Sequence, residues 1–119
     1  MKLKIVKIID RGIAGKERLW MKAIQDTEMD YYIVFDTTYI SQDSISTAQQ
    51  NTYWFEGKKV KSGDSIVLYT KKGTPSSKGH EDGTTTHFFY WGLDKPIWKN
   101  KGGCAVLFEV SGWVTSPYE

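Results

Sequence analysis

"KKGTPSSKGHEDGTTTHFFYWG", residues 71–92, sets a polar, glycine-rich stretch directly against a dense aromatic block. Its last seven residues, "THFFYWG" (86–92), decide the fold. In a strand, neighbouring side chains point to opposite faces, so His87, Phe89 and Trp91 share one face and Phe88 and Tyr90 the other. Both faces are apolar, so both need cover or a partner. The polar part reads as a hairpin, with Gly79 and Gly83 flanking His80, Glu81 and Asp82 as they would a mobile tip.

Working outward, apolar residues recur with the alternating period of strands, and no window of helical length carries an i, i+3, i+4, i+7 stripe. Strands are predicted at 2–9, 17–25, 31–39, 52–57, 65–71, 86–92, 104–110 and 112–116. Turn chemistry separates them at Asp10–Gly15, Asp26–Asp30, Ser62-Gly63-Asp64, Asn100–Gly103 and Ser111-Gly112. The polar run 40–51 breaks the rhythm, either as one helical turn or as a crossing between sheets. Short strands at near-regular spacing indicate an all-β sandwich or small barrel. Alternation places Ile66 and Leu68 on one face of their strand, takes Asp36 as the marker of a wet face, and turns the Cys104, Val106, Phe108 face inward.

The totals narrow the function classes. The 119 residues fit one domain with a substantial core. Aromatics reach five Trp, seven Tyr and five Phe, too many for a disordered chain. No apolar run approaches the roughly 20 residues that span a bilayer, so membrane insertion is not expected. The start "MKLKIVKIID" reads as a strand and not as a signal peptide, which points to the cytoplasm. A single cysteine, Cys104, excludes an internal disulfide and reads as a buried, inert thiol. Net charge is +2 with the signs interspersed, so bulk charge gives no push toward nucleic acid.

The second half carries a resemblance. "VKSGDSIVLYTKKG" followed by "THFFYWGLDKPIWKNKGGCAVLFEVSGWVTS" resembles the carboxyl-terminal half of the lamin-tail domain family, through Gly63-Asp64, Ile97-Trp98-Lys99-Asn100 and Gly112-Trp113-Val114-Thr115-Ser116. Gly103 stands where the family usually has Asp. The resemblance implies an immunoglobulin-like β-sandwich of about 7–9 antiparallel strands over residues 1–119 and a binding module without catalysis of its own. It also implies a turn device at Gly63-Asp64, a core plug at Trp98 and a turn cap at Asn100. Trp98 and Trp113 are the expected buried pair.

Chemistry is weighed against that background. His80, Glu81, Asp82 and His87 supply metal-ligating and acid–base groups, but the six-residue gap between the histidines matches no ligand spacing. The expectation is therefore a solvated hairpin end with no catalytic residue, metal or cofactor. No nucleophile elbow, phosphate-cradling glycine loop, zinc-binding helix or EF-hand loop occurs, so enzyme activity is not expected. Binding has better candidates, because exposed Trp and Tyr make interface anchors and stacking platforms. These are Trp54, Tyr69, Phe88, Tyr90 and Trp91, with Lys58, Lys59, Lys71 and Lys72 as a basic set. A protein partner is the leading expectation. The alternatives are nucleic acid held by those lysines with stacking on Trp54 or Tyr69, carbohydrate on an aromatic face, and a homodimer that covers an exposed aromatic strand.

Overall fold

The computed structural model describes all 119 residues and is all-β apart from one short 3₁₀ turn, Met29–Tyr31. Eleven strands run in chain order. They are β1 (Leu3–Ile9), β2 (Arg18–Ala23), β3 (Thr27–Glu28), β4 (Tyr32–Ser41), β5 (Ser44–Ile45), β6 (Thr52–Trp54), β7 (Lys59–Val60), β8 (Ser65–Tyr69), β9 (Ser76–Gly79), β10 (Thr85–Tyr90) and β11 (Gly103–Glu109). The larger sheet has the order β1-β2-β8-β10-β9; the second has β11-β4-β5 with β6 also on β4; β3 and β7 form a two-stranded ribbon. No helix is long and apolar enough to cross a membrane.

The sheets face each other across a core of 13 buried residues, including Leu19 and Met21 of β2, Tyr32 and Val34 of β4, Ile66 and Leu68 of β8, Phe89 of β10, and Trp98. "SIVLY" is the middle strand of the larger sheet, and its alternation is obeyed, with Ile66 and Leu68 fully buried. The aromatic strand β10 lies between β8 and β9, paired on both edges. Polar "SSKG" takes the sheet edge, where unpaired backbone groups meet water. This arrangement corrects the expectation of purely antiparallel strands, because β10 runs parallel to β8. After β8 the chain passes over to the edge, descends as β9, and returns through the hairpin to insert β10 beside β8. The strand that is apolar on both faces thereby gains two neighbours.

Other expectations are corrected as well. Asp36 does not mark a wet face: it is buried on the same side as Tyr32 and Val34, and its Oδ1 accepts the Asn51 N–H at 2.7 Å. In β11 it is Ala105 and Leu107 that pack on the core, so Cys104, Val106 and Phe108 point outward. Cys104 is buried all the same. Its neighbour Thr37 shares its hydroxyl between the Ser46 and Ala48 carbonyls, at 2.9 and 3.0 Å, so this segment crosses the outer face at that end. Residues 40–51 contain no helix; β4 extends to Ser41 and turns back as β5. No strand forms at 112–116, and Trp113 is 63% exposed instead of buried, whereas Trp98 is fully buried. Residue Val110 donates its N–H to Tyr31, and beyond it the chain finds no strand to pair with.

Candidate functional sites

The candidate binding residues are distributed over three places. Tyr69, Phe88 and Tyr90 lie on the outer face of the larger sheet, opposite Ile66, Leu68 and Phe89. Tyr69 and Tyr90 stack with centroids 5.4 Å apart and planes 9° from parallel. Lys71 lies 4.7 Å and Arg18 5.6 Å from the Tyr69 ring centre. Against the Tyr90 ring lies Gly73, where an added Cβ would come within 2.3 Å, so only glycine fits. The ring faces are thus covered by one another, by two cations and by backbone. What remains open to a ligand is their edges.

Trp91 is on the core side, half-buried and edge-on to Trp98 at 5.9 Å. The lysines have separate neighbours. Lys58 lines a cleft beside His87, Lys59 stands across from Glu28, Lys71 covers Tyr69, and Lys72 pairs with Asp94 at 3.3 Å.

Trp54 belongs to a different surface, the outer face of the second sheet. Register puts Phe108, Ile33 and Trp54 in one row across β11, β4 and β6, and Val106, Phe35 and Thr52 in the next. With Thr37 and Cys104 these are all the outward positions of the paired segments, and none carries a charge. The ring of Phe35 meets Phe108 edge-on at 4.8 Å, and Trp113 meets Trp54 edge-on at 5.3 Å. Trp54 is anchored by its indole N–H, which donates to the Asp30 carbonyl at 2.8 Å, yet it is 47% exposed and Phe108 46%. Strand β11 pairs only with β4; at the start of its other edge Arg11 donates to the Gly103 carbonyl at 3.0 Å and the Gly103 N–H donates to the Asn100 carbonyl at 3.1 Å, and from Ala105 to Glu109 no strand covers it. Of this surface the sequence expectation contained Trp54 alone. Phe108, Ile33 and Val106 could be found only by knowing which face of β11 points in.

The hairpin chemistry also separates. His80, Glu81 and Asp82 sit at the exposed tip, where the His80 ring meets the Thr86 hydroxyl at 2.7 Å. The Thr84 hydroxyl and N–H hold the Asp82 carboxyl below its usual range. His87 follows Thr86 and points to the opposite face, so the two histidines do not converge, and no three potential metal ligands cluster. Nor does His87 share the solvation of the hairpin end. It is 5% exposed, and its Nε2 lies 2.9 Å from Asp64 Oδ2 and its Nδ1 3.0 Å from the Ser77 hydroxyl. Burial pushes the Asp64 carboxyl up, but the Lys61 N–H, the His87 ring and the Thr85 N–H outweigh it and hold the group below the ordinary value. Gly63, at φ 92°, makes the turn that presents Asp64.

Sequence reasoning missed Glu17 altogether. It is 1% exposed and its carboxylate accepts the N–H groups of Gly12 (2.7 Å), Ile97 (2.7 Å) and Trp98 (3.0 Å) and the Thr70 hydroxyl (3.1 Å). This ties the β1–β2 loop, the end of β8 and the Trp98 segment together. Burial also raises the Cys104 thiol, with Arg11 acting against it and Asp36 adding to it, which leaves a poor nucleophile. No protein-family model matches the chain, and no curated protein or solved structure is significantly similar to it.

Proposed function

We propose that this chain is a protein-binding module, an immunoglobulin-like sandwich of lamin-tail type, that docks an apolar partner surface on the outer face of β4, β6 and β11. The observation that carries this reading is the uncharged row Phe108, Ile33 and Trp54, with Trp113 laid against it. Interface centres are depleted of charge and enriched in Trp, Tyr and Phe, and a contiguous exposed apolar patch marks an interaction site. The β11 edge from Ala105 to Glu109, which no strand covers, adds backbone groups that a partner strand can complete. The lamin-tail resemblance, in which Gly63-Asp64 makes a turn and Trp98 fills the core, supports the same class.

Nucleic acid and carbohydrate fit this face less well. Phosphate contacts need cations, and there are none on it. Sugar and base stacking need open ring faces, whereas Trp54 and Trp113 meet edge to face and Tyr69 and Tyr90 are already covered. Phe108→Asp is the test, with Lys78→Asp on the other sheet as control. Partner retention should fall roughly tenfold or more for Phe108→Asp, the loss of a central anchor, while melting is unchanged. Equal retention by both variants would refute the assignment.

A further inference from the structure

A second place in the molecule, apart from the docking face, carries a different chemistry. Ser77 lies directly across from His87 in the β9–β10 pair. The His87 ring lies between Asp64 and Ser77, with Nε2 2.9 Å from the Asp64 carboxylate and Nδ1 3.0 Å from the Ser77 hydroxyl; in the neutral ring, a carboxylate that takes Nε2–H leaves Nδ1 as the acceptor for that hydroxyl. Asp64 is itself fixed by the Lys61 and Thr85 N–H groups at 3.0 and 2.9 Å. A buried carboxylate, an oriented imidazole and the hydroxyl of an exposed serine in hydrogen-bonded series are the parts of an activated nucleophile and its base. Here the two ring nitrogens exchange the roles they have in serine hydrolases.

The surroundings suit attack on a carbonyl. Ser77 and His87 border an open cleft of about 240 Å³ whose walls include Lys58, Phe88 and Phe89. The His80 N–H donates to Thr84, and pairing alternates along the ladder, so Ser77 with His87 is a non-hydrogen-bonded pair and the Ser77 N–H points to the free sheet edge. That N–H and the Lys58 ammonium are the donors available to a developing oxyanion.

We propose that Ser77 is a nucleophile, with His87 as its base and Asp64 as a positioning residue, acting on small carboxylic esters. Ser77 Oγ bonds to the carbonyl carbon as its proton passes to His87 Nδ1. The ester C–O bond then breaks, and the leaving alcohol takes that proton. Water repeats the sequence on the acyl-serine, giving its proton to His87 and releasing the carboxylic acid and the free Ser77 hydroxyl.

The test is labelling of the folded protein with a phosphonyl fluoride, in which Ser77 Oγ bonds to phosphorus and fluoride leaves, read by peptide mass mapping. One adduct on Ser77, and none on neighbouring Ser76, is expected, formed about a hundredfold faster than in urea-unfolded chain. Ser77 is an exposed residue whose removal costs His87 Nδ1 one partner, so Ser77→Ala should stay folded with a modestly lowered melting temperature and take no label. His87→Gln should abolish labelling, and Asp64→Asn should slow it and change its pH profile, which loss of packing alone would not do. Hydrolysis of p-nitrophenyl acetate should follow the same order. Absence of an adduct, labelling spread over surface serines, or equal labelling of Ser77→Ala overturns the proposal.

Discussion

Glu17 shows how much a single side chain holds together in this fold. It is enclosed, and the three backbone N–H groups and one hydroxyl that it satisfies come from segments far apart in sequence. Removing it leaves those donors buried and unpaired. Glu17→Ala should therefore lower the unfolding free energy by about 3–5 kcal/mol in a urea titration, far beyond a surface substitution. Asp64 gives a pH signature. Its folded-state pKa lies below the unfolded one, so the stabilisation is full above the unfolded value, about pH 4, and drains as pH falls through the lowered folded value. Asp64→Asn should cost roughly 2–4 kcal/mol at pH 7, and its deficit against the parent should shrink as pH falls below the unfolded carboxylate range. A deficit independent of pH would contradict that ionic role. Neither residue was fully legible in the sequence. Gly63-Asp64 announces its turn locally, and the Asp64 side chain does accept the Lys61 N–H, but the partner His87 is set by strand order. The sequence "GKER" gives no sign that its glutamate is enclosed, because apart from Gly12 in the same loop its partners Thr70, Ile97 and Trp98 are brought by the tertiary fold.

Strand β10 and strand β11 were both recognisable as strands, but what surrounds them was not equally readable. "THFFYWG" is apolar on both faces and takes an inner position, which its composition demands; Phe89, nearly enclosed in the core, makes Phe89→Ala cost about 3–5 kcal/mol by thermal or chemical unfolding. That β10 inserts beside β8 in parallel was not readable, because a hairpin signal fixes which strands are joined and not which of them faces the rest of the sheet. For "CAVLFEV" both faces are apolar up to Glu109, and periodicity alone could not say which points in. The last stretch, "GWVTS", has strand composition without a strand to pair with. Removing residues 112–119 should change stability by less than about 1 kcal/mol, measured by urea unfolding, since no backbone pairing is lost. A larger loss would mean that Trp113 does more for the fold than rest on Trp54.

Taken as a whole, the molecule has two unlike outer surfaces. The larger sheet presents Lys4, Lys22 and Lys78 along with a closed tyrosine stack, as a solvated face does. The smaller sheet presents uncharged residues, exposed aromatics and an open edge. The sandwich was legible in the spacing of strands and turns. The uncharged outer face proposed for docking was legible only in Trp54, since the rest depends on how the sheets meet. Its assignment is tested most directly by photo-crosslinking in living cells, with a photoreactive phenylalanine analogue placed at Phe108 or, as comparison, at Lys78. A discrete protein adduct is expected from position 108, absent from position 78 and competed away by untagged parent chain. No adduct at 108, or the same adduct from both positions, would contradict the assignment.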